Sequence, residues 1–211
     1  MDIIKQCLDL FIHLDHHVAQ LAAQYGAWIY GIVFGIIFSE TGFVVTPFLP
    51  GDSLLFVLGA LAAKGSLRLD ALLPLLGAAA VLGNMVNYSV GRALAAKIFN
   101  NEHIPFLKKE YLQRTRDFYA KYGAKTIIIT RFVPIVRTFA PFLAGVGGMA
   151  YGKFTVYNLA GGVLWVLVGV LSGFFFGNLA FVSEHFSMVV LAIVVISLIP
   201  AVWEYLKHKK V

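Results

Sequence analysis

The chain has 211 residues, 59% of them hydrophobic and 13% charged, and Lys and Arg (17) outnumber Asp and Glu (11) for a formal charge of +6. A mean hydropathy of +0.80 excludes an ordinary water-soluble domain and a disordered chain, and points to an all-α integral membrane protein. The single cysteine, Cys7, excludes an intramolecular disulfide framework, and no Cys/His array suggests structural zinc.

In chain order, residues 1–25 lack the uninterrupted apolar core of a signal peptide, because Asp2, Asp9 and Asp15 break it, so the segment is expected to be retained. Phe11, Leu14, Val18, Leu21, Ala22 and Tyr25 share one helical face, which predicts an interfacial helix lying on the membrane. His13 and His17 stand one turn apart near Asp9 and His16, but histidines at an interface are read as solvated side chains, and no metal or cofactor is expected.

Residues 26–64 are predicted to form a re-entrant hairpin. Thirteen uncharged residues run from Ala27 to Ser39 and eleven from Ser53 to Ala63. At about 1.5 Å per residue each reaches only about half to two thirds of a ~30 Å hydrocarbon core. Gly42, Pro47, Pro50 and Gly51 break helices between them, and the freed backbone groups need shelter inside protein. A transmembrane helix is expected over 69–97, an amphipathic cytoplasmic helix over 105–123 and a second re-entrant hairpin over 124–150, interrupted by Pro134, Pro141 and the glycines at 145, 147 and 148. Transmembrane helices over 154–177 and 185–206 follow, the last closing on Trp203 and Tyr205, an aromatic belt.

Basic residues concentrate between Lys97 and Lys125 and in the tail at Lys207, Lys209 and Lys210, whereas 177–186 has none. By the positive-inside rule the central segment and the C-terminus face the cytoplasm. Charges that flank membrane segments in this way read as a topology signal, not as a nucleic-acid surface.

The chain repeats itself. AQYGA at 23–27 returns as AKYGA at 120–124, and PFLPG at 47–51 returns as PFLAG at 141–145. One crossing between two hairpins implies opposite orientation, hence an inverted repeat of a kind common in transporters. Within it lie four ionisable residues where a charge costs from about 2.5 kcal/mol upward at a helix centre: Glu40, Asp52, Arg131 and Arg137. One reading is a buried ion-pair network that only locks the structure. The functional reading divides the labour. Burial favours the neutral acid, so Glu40 and Asp52 are candidates to bind and release protons. The arginines remain charged and present a fork of donors suited to phosphate, so Arg131 and Arg137 are candidates to hold an anionic lipid headgroup.

Supporting positions are Asp52 or Ser53 as a helix cap, the stripe Asn84, Asn87, Tyr88 and Gly91, and the stripe Asn158, Gly162, Trp165, Gly169 and Ser172. Helix packing explains these stripes as readily as substrate contact does. Gly169, Gly173 and Gly177 read as a packing seam, within a monomer or between two copies. No GxSxG, Walker A or HExxH motif occurs, and no enzyme activity is expected.

The runs SETGFVVTPFLPGDSLLFVLGALAAKG (39–65), VNYSVGR (86–92) and RFVPIVRTFAPFLAG (131–145), followed by YNLAGGVLW, closely resemble the bacterial DedA family, as do the start MDII and the HKK near the end. That family shares its core with eukaryotic SNARE-associated Golgi proteins, some of them lipid scramblases. The resemblance implies a multi-pass protein of the bacterial inner membrane, linked to the proton motive force and supporting the cell envelope, with members that translocate polyprenyl phosphate. The family's functional acids fall on Glu40 and Asp52 and its functional arginines on Arg131 and Arg137. One position departs: where relatives are expected to read GDxVNY, this chain has Asn84, an amide that hydrogen-bonds but does not titrate. The leading expectation is therefore translocation of undecaprenyl phosphate or a phospholipid together with protons, by a monomer or homodimer. The alternatives are a small-cation or drug/proton antiporter and a non-transporting envelope scaffold.

Overall fold

The computed structural model describes Gln24 and residues 26–43, 51–99, 109–177, 179, 182 and 188–193, and among them there is no β-strand. The elements are α1 (Trp28–Gly42), α2 (Gly51–Ala63), α3 (Leu69–Phe99), α4 (Lys109–Tyr122), α5 (Thr126–Ile129), a 3-10 turn (Thr130–Phe132), α6 (Pro134–Val146) and α7 (Tyr151–Phe176). The interfacial helix expected over 1–25, the link at 44–50 and most of the span expected over 185–206 fall outside the described residues.

Among the described residues two helices are long and apolar enough to cross a membrane: Leu69–Ala95 within α3, and α7. Each carries an outward apolar face. On α3, Leu82, Val86 and Val90 follow at four-residue intervals, and on α7 Val156, Leu159 and Val163 are exposed on the side away from buried Asn158 and Trp165. Such faces belong against lipid, not water. By contrast α1, α2 and α6, of 15, 13 and 13 residues, are only about 20 Å long at 1.5 Å per residue.

The boundaries have local causes. Gly65, Gly123 and Gly148 adopt left-handed φ of 76°, 74° and 72°, the conformation that closes a helix C-terminus, and they follow α2, α4 and α6. Pro134 opens α6, where its missing N–H costs nothing. Pro141 lies inside α6, and because it has no N–H it cannot supply the helical bond that would end on the Arg137 carbonyl. Pro74 sits in the second turn of α3, where one helical bond is lost.

The chain divides into two compact units, one made of 1–36, 48–77 and 165–211 and the other of 37–47 and 78–164. In the first, α2 packs on the C-terminal half of α7. A Cβ at Gly59 would collide with the Val170 carbonyl, one at Gly173 with the Phe56 carbonyl, and one at Gly169 would stand 2.8 Å from the Leu55 side chain. Only glycine lets the two backbones approach this closely. The glycine repeat at 169, 173 and 177 is thus used within the chain. In the second unit Tyr88, Ile127, Ala140, Ala144 and Phe154 form a core, with the Tyr88 ring stacked on Phe154 at 4.3 Å. Here Gly91 abuts the Phe142 carbonyl and Gly145 the Tyr88 carbonyl, so that α3 and α6 meet along glycines too.

Candidate functional site: a buried ion pair among amides

The second unit buries an unusual set of polar groups: Glu40, Thr41, Asn84, Asn87, Arg131, Arg137, Thr138 and Asn158. Glu40 stands two residues before the end of α1, and Arg137 is in the first turn of α6. Arg137 NH2 donates to Glu40 Oε1, and the two side chains are 7% and 0% exposed. A pair this deep gains Coulomb energy that solvent does not screen, but it also forfeits the hydration of both ions, so it is weak evidence for stability as such.

Arg131, in the 3-10 turn, is buried in the same unit. Neutral groups are among its partners. NH1 donates to Asn158 Oδ1 at 2.9 Å and NH2 to the Ala80 carbonyl at 3.0 Å. Asn84 Nδ2 donates to the oxygen that accepts from NH1, Asn158 Oδ1, at 2.9 Å. Asn158 Nδ2 in turn donates to the Val81 carbonyl at 3.0 Å. The guanidinium also rests against Gly162, where a Cβ would stand 3.2 Å from NH2, so the glycine leaves room for the plane of the group. Multiple donors in fixed geometry are what a guanidinium offers an anion, and here the amides and carbonyls fix that geometry.

Asn87 completes the set: its Nδ2 donates to the carbonyls of Thr41 and Thr138 at 3.2 and 2.8 Å. Tyr88, next to it, donates to the Met149 carbonyl and accepts from Arg92 NH1 at 3.4 Å, which anchors α3 to the turn before α7.

Asp52 and Ser53 belong to the first unit. Asp52 is in the first turn of α2, where a carboxylate is favoured by the helix dipole, and its Oδ1 accepts from Trp165 Nε1 at 2.8 Å. Ser53 is buried beside it. Of the nine residues singled out from sequence, seven therefore lie in the second unit and two in the first. Participants that act through their backbone carry no sequence signal. Thr41 and Thr138 contribute backbone carbonyls, which leave no mark on composition, although each directly follows a charged residue of the pair. Trp165 was placed on an inward stripe without its carboxylate partner.

A family model for the VTT domain matches residues 49–175. The chain is 48% identical over 212 residues to Protein DedA of Escherichia coli strain K12, covering 100% of this chain and 97% of that protein. It is 40% identical over 166 residues to an uncharacterized membrane protein of Mycobacterium leprae, covering 79% of this chain and 74% of that one. Over 178 residues it is 34% identical to the inner membrane protein YqjA of Escherichia coli, with 84% and 80% covered. No solved structure matches.

Proposed function

The chain belongs to the DedA family of VTT-domain membrane proteins, and on that premise we propose that it is an inner-membrane transporter that moves an anionic lipid carrier, undecaprenyl phosphate or a phospholipid, in a cycle linked to the proton motive force. The observation that carries this reading is the buried Glu40–Arg137 pair, with Arg131 buried in the same unit. Intramembrane ionisable groups are expensive and mark transport pathways and proton relays. Arg137 and Arg131 bind the headgroup phosphate, which competes with the Glu40 carboxylate for the same guanidinium. When Glu40 takes up a proton its hold on Arg137 weakens and the phosphate gains a partner; when the proton leaves, the pair re-forms and the phosphate is released. Asp52, held by Trp165, is the second proton site. Ser53, Asn84, Asn87, Tyr88 and Asn158 support these four.

The short helices α1 and α2, and the short elements from Thr126 to Val146, fit two re-entrant hairpins in an inverted repeat, each followed by a membrane-spanning helix. In this arrangement the C-terminus is cytoplasmic and the protein works as a monomer or homodimer without covalent chemistry. The inner-membrane location draws support from the likeness to the inner membrane protein YqjA.

The test is translocation of polyprenyl phosphate in liposomes with and without an imposed pH gradient. Wild type moves the lipid and Arg137→Ala does not. Equal rates for the two proteins overturn the phosphate role, and rates indifferent to the gradient overturn the proton link. Gradient-driven movement of a small cation without any lipid movement would establish the antiporter reading instead.

A further inference from the structure

Glu40 and Arg137 are separated by the interval that separates the two AxYGA segments, since 137 − 40 and 120 − 23 are both 97, and so are the residues that follow them, Thr41 and Thr138. The carbonyls of those two threonines meet at one atom, Asn87 Nδ2. A primary amide has two N–H bonds, so this nitrogen serves both carbonyls and is then fully used. The Asn87 side chain is completely buried, and its Oδ1 accepts no hydrogen bond among the described residues. Turning the amide over would set its oxygen against two carbonyl oxygens, so the observed orientation is the one that bonds. A buried acceptor left in this state costs stability, which means that the fold keeps Asn87 for its nitrogen.

The flanking residues fit the same purpose. Gly83 and Gly91 stand four residues before and after Asn87, on the same face of α3. At Gly83 a Cβ would meet the Phe38 carbonyl at 2.8 Å and Gly42 N at 3.0 Å, and at Gly91 it would collide with the Phe142 carbonyl. One glycine admits the backbone of α1 and the other the backbone of α6, and Asn87 stands between them, bonded to both. From this we infer that Asn87 is a positioning residue: it holds the backbones of α1 and α6 in register directly behind Glu40 and Arg137, and does so independently of the ion pair. The ion pair is then free to open and close between two backbones that stay in place. The inference deepens the transport reading, because it assigns a role at the same site, but its structural readout does not depend on the cargo.

The experiment places spin labels at Phe43→Cys and Phe139→Cys, both exposed and both in the second unit, in full-length Cys7→Ser protein in nanodiscs. Distance distributions are compared for this background, Glu40→Gln, Asn87→Leu and Asn87→Asp. Leucine fills the space of the amide without its donors, and aspartate keeps the shape with an acceptor where the donor was. The background and Glu40→Gln should give one narrow maximum, and both Asn87 variants should lose it. A narrow maximum in Asn87→Leu would show that space-filling suffices and overturn the inference. Broadening in Glu40→Gln equal to that in Asn87→Leu would give the register to the ion pair and overturn it as well. Should Asn87→Leu not be isolated in folded form, a bismaleimide cross-link of the same cysteines in native membranes decides: a yield below the background supports the inference and an equal yield refutes it. Translocation of polyprenyl phosphate is measured on the same proteins. If the background moves no lipid, the transport reading fails while the distance result stands.

Discussion

The two units use the same packing device for opposite ends. In the first, glycines at 59, 169 and 173 bring α2 and α7 together, and what they bring together is apolar: Leu54 to Ala62 are buried almost without interruption. The only charged group described at that contact is Asp52, at the end of α2, under the Trp165 indole. In the second, glycines at 83, 91 and 145 bring three helices equally close, and the space they save admits amides, backbone carbonyls and an ion pair. Close approach alone therefore does not make a site. It makes a seam, and the side chains interleaved with the glycines decide whether the seam is inert.

The largest way to break this contrast is Arg137→Ala. It leaves the Glu40 carboxylate buried without that guanidinium, and breaking one side of a buried pair costs about 3–5 kcal/mol. Thermal unfolding in detergent should fall accordingly, and lipid translocation should cease. A variant that lost translocation with no change in unfolding would show that the pair serves transport alone. Next comes Gly173→Val, which forces a branched side chain onto the Phe56 carbonyl. It should cost about 3 kcal/mol through displaced backbones, the upper end for overpacking, and do so without touching the polar set. If it abolished translocation at unchanged stability, the first unit would not be the inert seam described.

The contrast was only partly legible in the residues. Gly169, Gly173 and Gly177 announced packing by their spacing, and the structure places them against α2. Glu40 and Arg137 stand out by the cost of a charge inside an apolar stretch, and they share the 97-residue interval of the two AxYGA segments. PFLAG lies inside α6, whereas most of PFLPG lies outside the described residues. Backbone acceptors were invisible because every residue has a carbonyl and only packing shows which ones a side chain reaches. Thr41 and Thr138 are of this kind, and so is Ala140.

Trp165→Phe sharpens the comparison from the other side. It keeps the aromatic bulk and removes the donor to Asp52, and hydrogen bonds to charged groups contribute about 1.5–3 kcal/mol. A loss of about 2 kcal/mol in unfolding, reproduced by Asp52→Ala and not increased when the two are combined, would show that the indole and the carboxylate act as one unit. Additive losses would mean that each is used separately.

The smallest expected effect concerns the edge of the polar unit. Helix α4 carries Phe118 and Tyr122 exposed at four-residue spacing, their rings 4.9 Å apart, with Lys121 Nζ 5.3 Å from the Tyr122 ring, as suits a helix lying at a membrane surface. Tyr119 points the other way: its hydroxyl donates to the Ala140 carbonyl at 2.7 Å, and burial pushes its ionisation further above the ordinary phenol range, so it remains a donor at any physiological pH. Ala140 directly precedes Pro141 and lies three residues from Arg137, so the bond ties the surface helix to the helix that bears the ion pair. Tyr119→Phe removes that bond and little else, and should cost about 1 kcal/mol. Its effect on translocation decides what the tie is for. If α4 only shelters α6, the rate of lipid movement follows the small loss of stability; a rate that falls several-fold at nearly wild-type stability would mean that the surface helix sets the position of Arg137.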